Sequence, residues 1–457
     1  MRIVVMGAGS VGSYIVSMLV QEGHDVLIID KDKDTLSRVL AENDCMGILG
    51  DGTDSRLLKE AEAGRADFFI SLTEGDEVNI VGANIAKILG AKSTIARVRS
   101  PKYHKNDDFM RTFLGVDYFI NPEFMAANQI ELTLGYALAS SVEEFFKGRM
   151  QMVELMVGPS SHLVGKSITE LSRSGIINNV LVTIVDRKGE IFIPGGDFIL
   201  EADDDIHVMG TPKDLRRLYL GEFGNKTDIN SALIIGASKI SYYLAKDILD
   251  RGIKVKVIEI DQEKAIDFHN LLPKATVIHG DGSRTDFLDE ENFREYDAII
   301  ALTGIDERNI LIALIAEKAN IREIITRVDN KNLLRVTGIL DIDVTVTPIK
   351  EAANHVLKII RGKTGIKYNS SIQNLYLLED NLVEAIEFEV RNGSRIIDIA
   401  LRDLRIKDNT IIAAIYREKT DQIILPSGDT RILPQDRVIV ITKHKAITKL
   451  DDILEDL

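Results

Sequence analysis

The chain has 457 residues, 45% hydrophobic and 28% charged, as expected for a globular protein with real cores, and at ~150 residues per domain it predicts roughly three domains. Its formal net charge of -15, with no local basic patch to offset it, repels phosphodiester backbones and excludes a nucleic-acid partner. The single cysteine, Cys45, excludes an intrachain disulfide and a zinc cluster, which suits a reducing cytosol.

The first element, Arg2 to Met6, reads as a strand and not as the apolar core of a signal peptide, so a cytoplasmic location is expected. Short β-branched runs without alternation (Ile3-Val4-Val5, Leu27-Ile28-Ile29, Phe68-Phe69-Ile70) predict strands buried on both faces of a parallel sheet. Between them the stripe Val11, Tyr14, Ile15, Met18 and Leu19 predicts a helix packed on that sheet. The alternation gives a doubly wound α/β domain over residues 1–122.

The first strand leads into Gly7-Ala8-Gly9-Ser10-Val11-Gly12, and the second strand ends on Asp30. In that context the glycines divide the work of a dinucleotide loop: Gly7 for the tight turn, Gly9 for approach of a pyrophosphate, Gly12 for close helix packing. The diphosphate would rest on the free amides and positive helix end near Ser10 and Val11. Asp30 would accept from ribose hydroxyls and repel a 2′-phosphate, favouring NAD(H) over NADP(H), although Lys31 beside it weakens that preference. The bland alternatives are a simple tight turn and a solvated strand end. Asp51, within Gly50-Asp51-Gly52, is placed either for an adenine amino group or as a turn residue. Thr73 and Glu74 stand at the carboxyl edge of the fourth strand, where such sheets bind ligands, or simply begin the next turn. Arg97 either reaches a phosphate or forms a structural ion pair.

Asn121 to Lys147 then reads as an amphipathic crossover helix, assigned to 123–148, with Phe124, Ala127, Ile130 and Leu134 on one face. It either closes its own domain or docks on a neighbouring Rossmann domain. The uncharged stretch Leu132 to Val142 is far short of the ~18–20 residues of a spanning helix. A small α/β domain, 149–227, contains Ile193-Pro194-Gly195-Gly196-Asp197 and a strand from Asp204 to Met209. Its histidines, His162 in a loop and His207 in that strand, read as surface or packing residues, and no metal site is expected. Asp203-Asp204-Asp205 and the tail Asp451-Asp452…Glu455-Asp456 read as solvated turns and a solubilising terminus rather than as oxygen ligands for a cation.

The whole pattern then repeats. Gly236-Ala237-Ser238-Lys239-Ile240-Ser241 aligns with the first glycine loop, Glu259 with Asp30, Asp281 with Asp51, Thr303 with Thr73 and Arg327 with Arg97. Asp306-Glu307 and Asn309 answer Asp76-Glu77 and Asn79, and Leu425-Pro426-Ser427-Gly428-Asp429 answers the Pro-Gly-Gly-Asp segment. The second copy divides into a Rossmann-type domain at 228–348, a crossover helix at 349–370 (within an amphipathic run from Thr347 to Gly362) and a small domain at 371–457. Ser238 and Ser241 replace the second and third glycines, so this site is expected to be empty, weak, or used by a smaller adenine nucleotide. The candidate contacts there are Gly236, Ala237, Ser238, Lys239, Ile240, Glu259, Asp281 and Thr303.

Taken together, the tandem architecture, the Gly7–Gly12 loop with Asp30, the Gly50-Asp51-Gly52 motif, the Thr73…Asp76-Glu77…Asn79 cluster and the paired small-domain signatures resemble the TrkA family over essentially the whole chain. These are the peripheral regulatory subunits of Trk potassium uptake systems, built of RCK (TrkA-N plus TrkA-C) domains. The resemblance implies a homo-oligomeric ring on the cytosolic face of a TrkH- or TrkG-type potassium-translocating subunit, with NAD(H) and ATP or ADP bound by the Rossmann units. A rival reading, an NAD-dependent dehydrogenase, lacks an acid/base constellation after the first Rossmann unit. A scaffold with vestigial ligand sites is the third.

Overall fold

In the computed structural model the described residues are 1–104, 107–134, 136, 139–223, 229–330, 332–334, 344–367, 372–379, 382–445 and 447–455. The expected 227/228 boundary, the expected helix end at 370 and Asp456 lie outside them. The first Rossmann domain runs β1 (Arg2–Met6), α1 (Ser10–Gln21), β2 (Asp25–Asp30), α2 (Lys33–Glu42), β3 (Met46–Leu49), α3 (Ser55–Glu60), β4 (Phe68–Ser71), α4 (Asp76–Leu89), β5 (Ser93–Arg97), α5 (Pro101–His104), α6 (Asp107–Leu114) and β6 (Tyr118–Ile120). Its strands form a parallel sheet in the order β3-β2-β1-β4-β5-β6. The order reverses between β1 and β4, and the carboxyl ends of those two strands frame the crevice where such sheets take ligands.

Next come α7 (Pro122–Thr133) and the first small sheet: β7 (Ala139–Phe145), β8 (Met150–Met156), α8 (Ile168–Arg173), β9 (Val180–Arg187), β10 (Glu190–Phe192), β11 (Asp205–Gly210), then α9 (Pro212–Phe223). The strands pair antiparallel in the order β10-β9-β11-β8-β7. This corrects the expected crossover helix. The helical stripe ends at Leu134, and the Thr133 hydroxyl bonds back to the Ile130 carbonyl at 2.9 Å. Ala139–Phe145 instead pairs with β8 and buries Val142 and Phe145, so the small sheet begins at Ala139 and not at 149.

The second copy repeats the plan with β12 (Ser231–Ile235), α10 (Lys239–Asp250), β13 (Lys254–Glu259), α11 (Gln262–Leu271), β14 (Thr276–His279), α12 (Thr285–Glu290), β15 (Ala298–Ala301), α13 (Asp306–Lys318), β16 (Glu323–Arg327), β17 (Val344–Val346) and α14 (Pro348–Lys367). Its sheet order is β14-β13-β12-β15-β16-β17. The second small sheet holds β18 (Ile372–Leu378), β19 (Val383–Glu389), β20 (Thr410–Arg417), β21 (Gln422–Ile424) and β22 (Arg437–Thr442), ordered β18-β19-β22-β20-β21.

The chain divides into two compact units. One holds Met1–Asn128 with Ser238–Leu244 and Val346–Ile360; the other holds Gln129–Ala237, Ala245–Thr345 and Arg361–Leu457. Within the first, Tyr243 of α10 stands edge-on to Phe124 of α7, with ring centroids 5.3 Å apart. Its hydroxyl accepts from Asn121 Nδ2 at 2.9 Å and donates to the Arg99 carbonyl at 3.0 Å. Within the second unit the two small sheets share one core. Phe145, Phe146, Met152 and Met209 of the first pack with Val383, Ala414, Tyr416 and Ile439 of the second.

The acidic turns are not merely solvated. Asp204 is fully buried and accepts from Arg187 Nε and Nη2 at 2.7 and 2.8 Å, and Asp436 repeats this with Arg417. A carboxylate so buried is tolerable because a guanidinium fork satisfies both oxygens. In the tail, Asp452 accepts the Thr448 and Lys449 amides and Asp451 accepts the Arg395 amide, so these side chains fasten the terminus rather than solubilise it.

Candidate nucleotide site

The three loop glycines answer to different demands. Gly7 has φ +106, and a Cβ there would stand 2.9 Å from the Thr73 amide nitrogen; a Cβ on Gly12 would stand 1.9 Å from the Gly7 carbonyl oxygen. Both positions are dictated by the fold itself. Gly9 is different. Its backbone (φ -62, ψ -174) suits any residue, and a Cβ there meets no atom within 4 Å. Nothing among the described residues requires a glycine at that point, and its bareness leaves the loop open. Gly9 caps α1, and the amides of Ser10, Val11 and Gly12 find no acceptor among the described residues. Gly9 and Ser10 are exposed while Ala8, Val11 and Gly12 are buried, so the loop meets solvent at the point where the helix begins.

Asp30 braces this loop. Its carboxylate accepts the Ala8 amide at 2.6 Å and the Asp32 amide at 2.8 Å. The exposed Asp51 folds into its own turn, taking the Thr53 amide at 2.9 Å and hydroxyl at 2.8 Å, and the amide bond first of all holds its carboxyl below the usual range. Thr73 is committed to structure. Its amide and hydroxyl donate to Asn79 Oδ1 at 2.8 and 2.7 Å, while Asn79 Nδ2 donates to the carbonyls of Thr73 and Arg97. Asp76 accepts the amides of Arg99 and Ser100. Glu74 is exposed, and its carbonyl receives the Arg99 guanidinium. Arg97 Nη2 donates to Glu123 Oε1 at 2.9 Å with both side chains largely buried, so of its two expected roles the structure contains the ion pair.

The second loop keeps the frame and fills the opening. Gly236 has φ +105, and Glu259 accepts the Ala237 amide at 2.6 Å and the Asp261 amide at 3.0 Å. The Ser238 and Ser241 hydroxyls lie 2.9 Å apart; the Ser241 amide donates to Ser238 Oγ and the Ser238 amide to Ser241 Oγ. The counterparts of the Gly9 and Gly12 amides are thus closed by side chains of the loop itself, while those of Ser10 and Val11, the Lys239 and Ile240 amides, find no acceptor among the described residues. Lys239 is exposed and Ile240 buried at the start of α10. Asp281 repeats the Asp51 turn with Ser283, whose hydroxyl bond chiefly lowers its carboxyl. Thr303, Asn309 and the Arg327 carbonyl repeat the clamp, with Arg327 paired to Asp329. Sequence reading missed the Tyr243–Asn121 bond in the first unit, because nothing in spacing or type marks it. It also missed Glu154, His207 and Glu379, which converge from distant parts of the sequence.

Comparison with known proteins agrees with this arrangement. The TrkA-N domain family matches residues 3–122 and 232–348, and the TrkA-C domain family matches 152–220 and 385–455. A Trk system potassium uptake protein TrkA homolog of Archaeoglobus fulgidus is 34% identical over 99% of this chain and 100% of its own length. TrkA homolog 1 of Methanosarcina mazei is 32% identical over 99% of each chain, and TrkA of Halomonas elongata 28% over 95% of each. Among solved structures, the GsuK RCK domain superposes with TM-score 0.64 at 18% identity, covering 96% of this chain and 92% of that one. The GsuK channel bound to NAD gives TM-score 0.64 at 17% identity over 96% of this chain and 76% of that one. Among the described residues no helix is long and apolar enough to cross a membrane. With both domain types matched twice and the archaeal relatives aligned end to end, this chain belongs to the TrkA family of Trk system potassium uptake proteins.

Proposed function

We propose that the chain is the nucleotide-sensing regulatory subunit of a Trk-type potassium uptake system, and not an enzyme, with NAD(H) or ATP and ADP as the sensed molecules. The open space at Gly9, set against the self-closed Ser238–Ser241 loop, carries this reading. A diphosphate takes the Ser10 and Val11 amides, the ribose hydroxyls take the lone pairs that Asp30 has left, and Asp51 receives the adenine amino group. The neighbouring Glu74 carbonyl is held by Arg99, whose own carbonyl receives Tyr243 of α10. A ligand that moves the Thr73–Glu74 edge therefore acts one residue away from the second copy's leading helix. In a homo-oligomeric ring on the inner face of a TrkH- or TrkG-type membrane subunit, ~1–3 kcal/mol of differential affinity per site is enough to bias the gate.

The test is Gly9→Ala. Its Cβ meets no protein atom, so melting should be unchanged, while calorimetric affinity for NADH should fall by at least about tenfold because the methyl stands where the diphosphate lies. Wild-type affinity retained by Gly9→Ala would sink the reading, as would steady NADH oxidation with hydroxy acids.

A further inference from the structure

One cluster of titratable groups lies away from the nucleotide loops, where the two small sheets meet. Glu154 on β8 and His207 on β11 are directly opposed across the antiparallel ladder, so their side chains share a face. Glu379 follows β18 of the other small sheet and meets them there. The donor atoms of the three lie within 4.8 Å of one another. His207 is 2% exposed; its Nε2 contacts Glu379 Oε1, and its Nδ1 is buried with no hydrogen-bond partner among the described residues.

Two features set this group apart from an ordinary ion pair. First, the local charge is one-sided. Glu154 and Glu379 both approach the one imidazole, and Asp205 and Asp186 are paired with each other on the adjoining strands β11 and β9, so more acid is gathered here than one imidazole can neutralise. Second, the donors are oriented. Ser141 Oγ donates to Glu154 Oε2 at 2.9 Å, and Thr183 Oγ1 donates to the His207 carbonyl at 3.0 Å. Glu379 is held with φ 50, a left-handed conformation that a non-glycine residue adopts only when its surroundings fix it.

We infer that Glu154, His207 and Glu379 form a binding site for a zinc-class divalent cation that clamps the two small domains of one chain together. An imidazole with carboxylates suits zinc and its first-row neighbours better than magnesium or calcium, which prefer all-oxygen sets. A cation ~2.0–2.2 Å from each donor allows donors up to about twice that distance apart, so a small rotation of the carboxylates closes the set. The cation takes over a contact, His207 to Glu379, that already joins the two sheets. Cys45 has no part in it, which is why cysteine arithmetic gives no hint of the site.

The experiment uses the full chain, stripped with chelator and titrated with zinc against a chelating dye, with cobalt as a spectroscopic probe. One zinc per chain is expected, with a cobalt d–d band showing a nitrogen ligand. His207→Gln and Glu379→Gln should each weaken zinc by at least about tenfold and abolish that band. His162→Gln, in a different part of the small domain, should change nothing. Circular dichroism identifies a variant that fails to fold; should His207→Gln do so, Glu379→Gln in its turn still decides the matter. Zinc affinity unchanged in the folded variants, no stoichiometric binding to wild type, or magnesium competing at equal concentration would each overturn the site.

Discussion

The Asp30 carboxylate takes the Ala8 and Asp32 amides, and Glu259 takes Ala237 and Asp261 in the same way. Because the brace persists where the glycine pattern is lost, it belongs to the fold, and the proposed ribose recognition would be a second use of the same oxygens. A carboxylate offers ~four lone-pair positions, so two amides leave room for a ribose. Asp30→Ala strips both amides of an acceptor, costing about 1–3 kcal/mol, and therefore confounds stability with binding. Asp30→Asn is the sharper probe, since it keeps one acceptor and removes the charge that opposes a 2′-phosphate. Its melting temperature should fall less than that of Asp30→Ala, while the preference for NADH over NADPH should shrink by about tenfold in paired titrations. A preference ratio equal to wild type would mean that this charge does not read the ribose.

Among the elements, α10 has the most to disclose, because its opening turns belong to the first compact unit. Tyr243 is nearly buried, and desolvation chiefly drives its hydroxyl up to about 12, so it acts only as a neutral donor and acceptor. Tyr243→Phe keeps the edge-on contact with Phe124 but leaves the buried Asn121 amide and the Arg99 carbonyl each short of a partner. A local loss of about 1–3 kcal/mol is expected, seen as faster hydrogen exchange at the start of α7 and the end of β5 with other regions unchanged. Unaltered exchange there would remove Tyr243 from the path between site and helix. Strands and helices of both Rossmann copies were legible in the sequence because unbroken β-branched runs and the Val11–Leu19 stripe have one low-energy reading each. The end of α7 was not: Leu134 completes a helical stripe, and only pairing with β8 assigns Ala139–Phe145 to a sheet. In the site, Gly7, Gly9 and Gly12 were legible by type. The fate of Thr73 was not, since a hydroxyl at a strand end looks alike whether it meets a ligand or Asn79. The Glu154–His207–Glu379 group is a product of tertiary packing, and no local pattern encodes it.

At the scale of the whole molecule, duplication followed by divergence gives one chain two loops of unequal form. The first leaves the Gly9 and Gly12 amides open; at the matching positions of the second, the Ser238 and Ser241 amides are spent on each other's hydroxyls. Both retain the brace, the aspartate turn and the threonine–asparagine clamp, so what separates them is concentrated in two hydroxymethyl groups. Titration of the intact chain with NADH should therefore saturate at one molecule per chain. Ser238→Gly with Ser241→Gly should raise that number toward two, since Glu259 and Asp281 are already in place, at a stability cost of up to about 1 kcal/mol for each glycine within a helix turn. If wild type already binds two, the serine pair is no barrier and the asymmetry has no functional meaning. If the double variant folds and still binds one, the frame around the second loop, rather than its plug, has lost the ability to hold a dinucleotide.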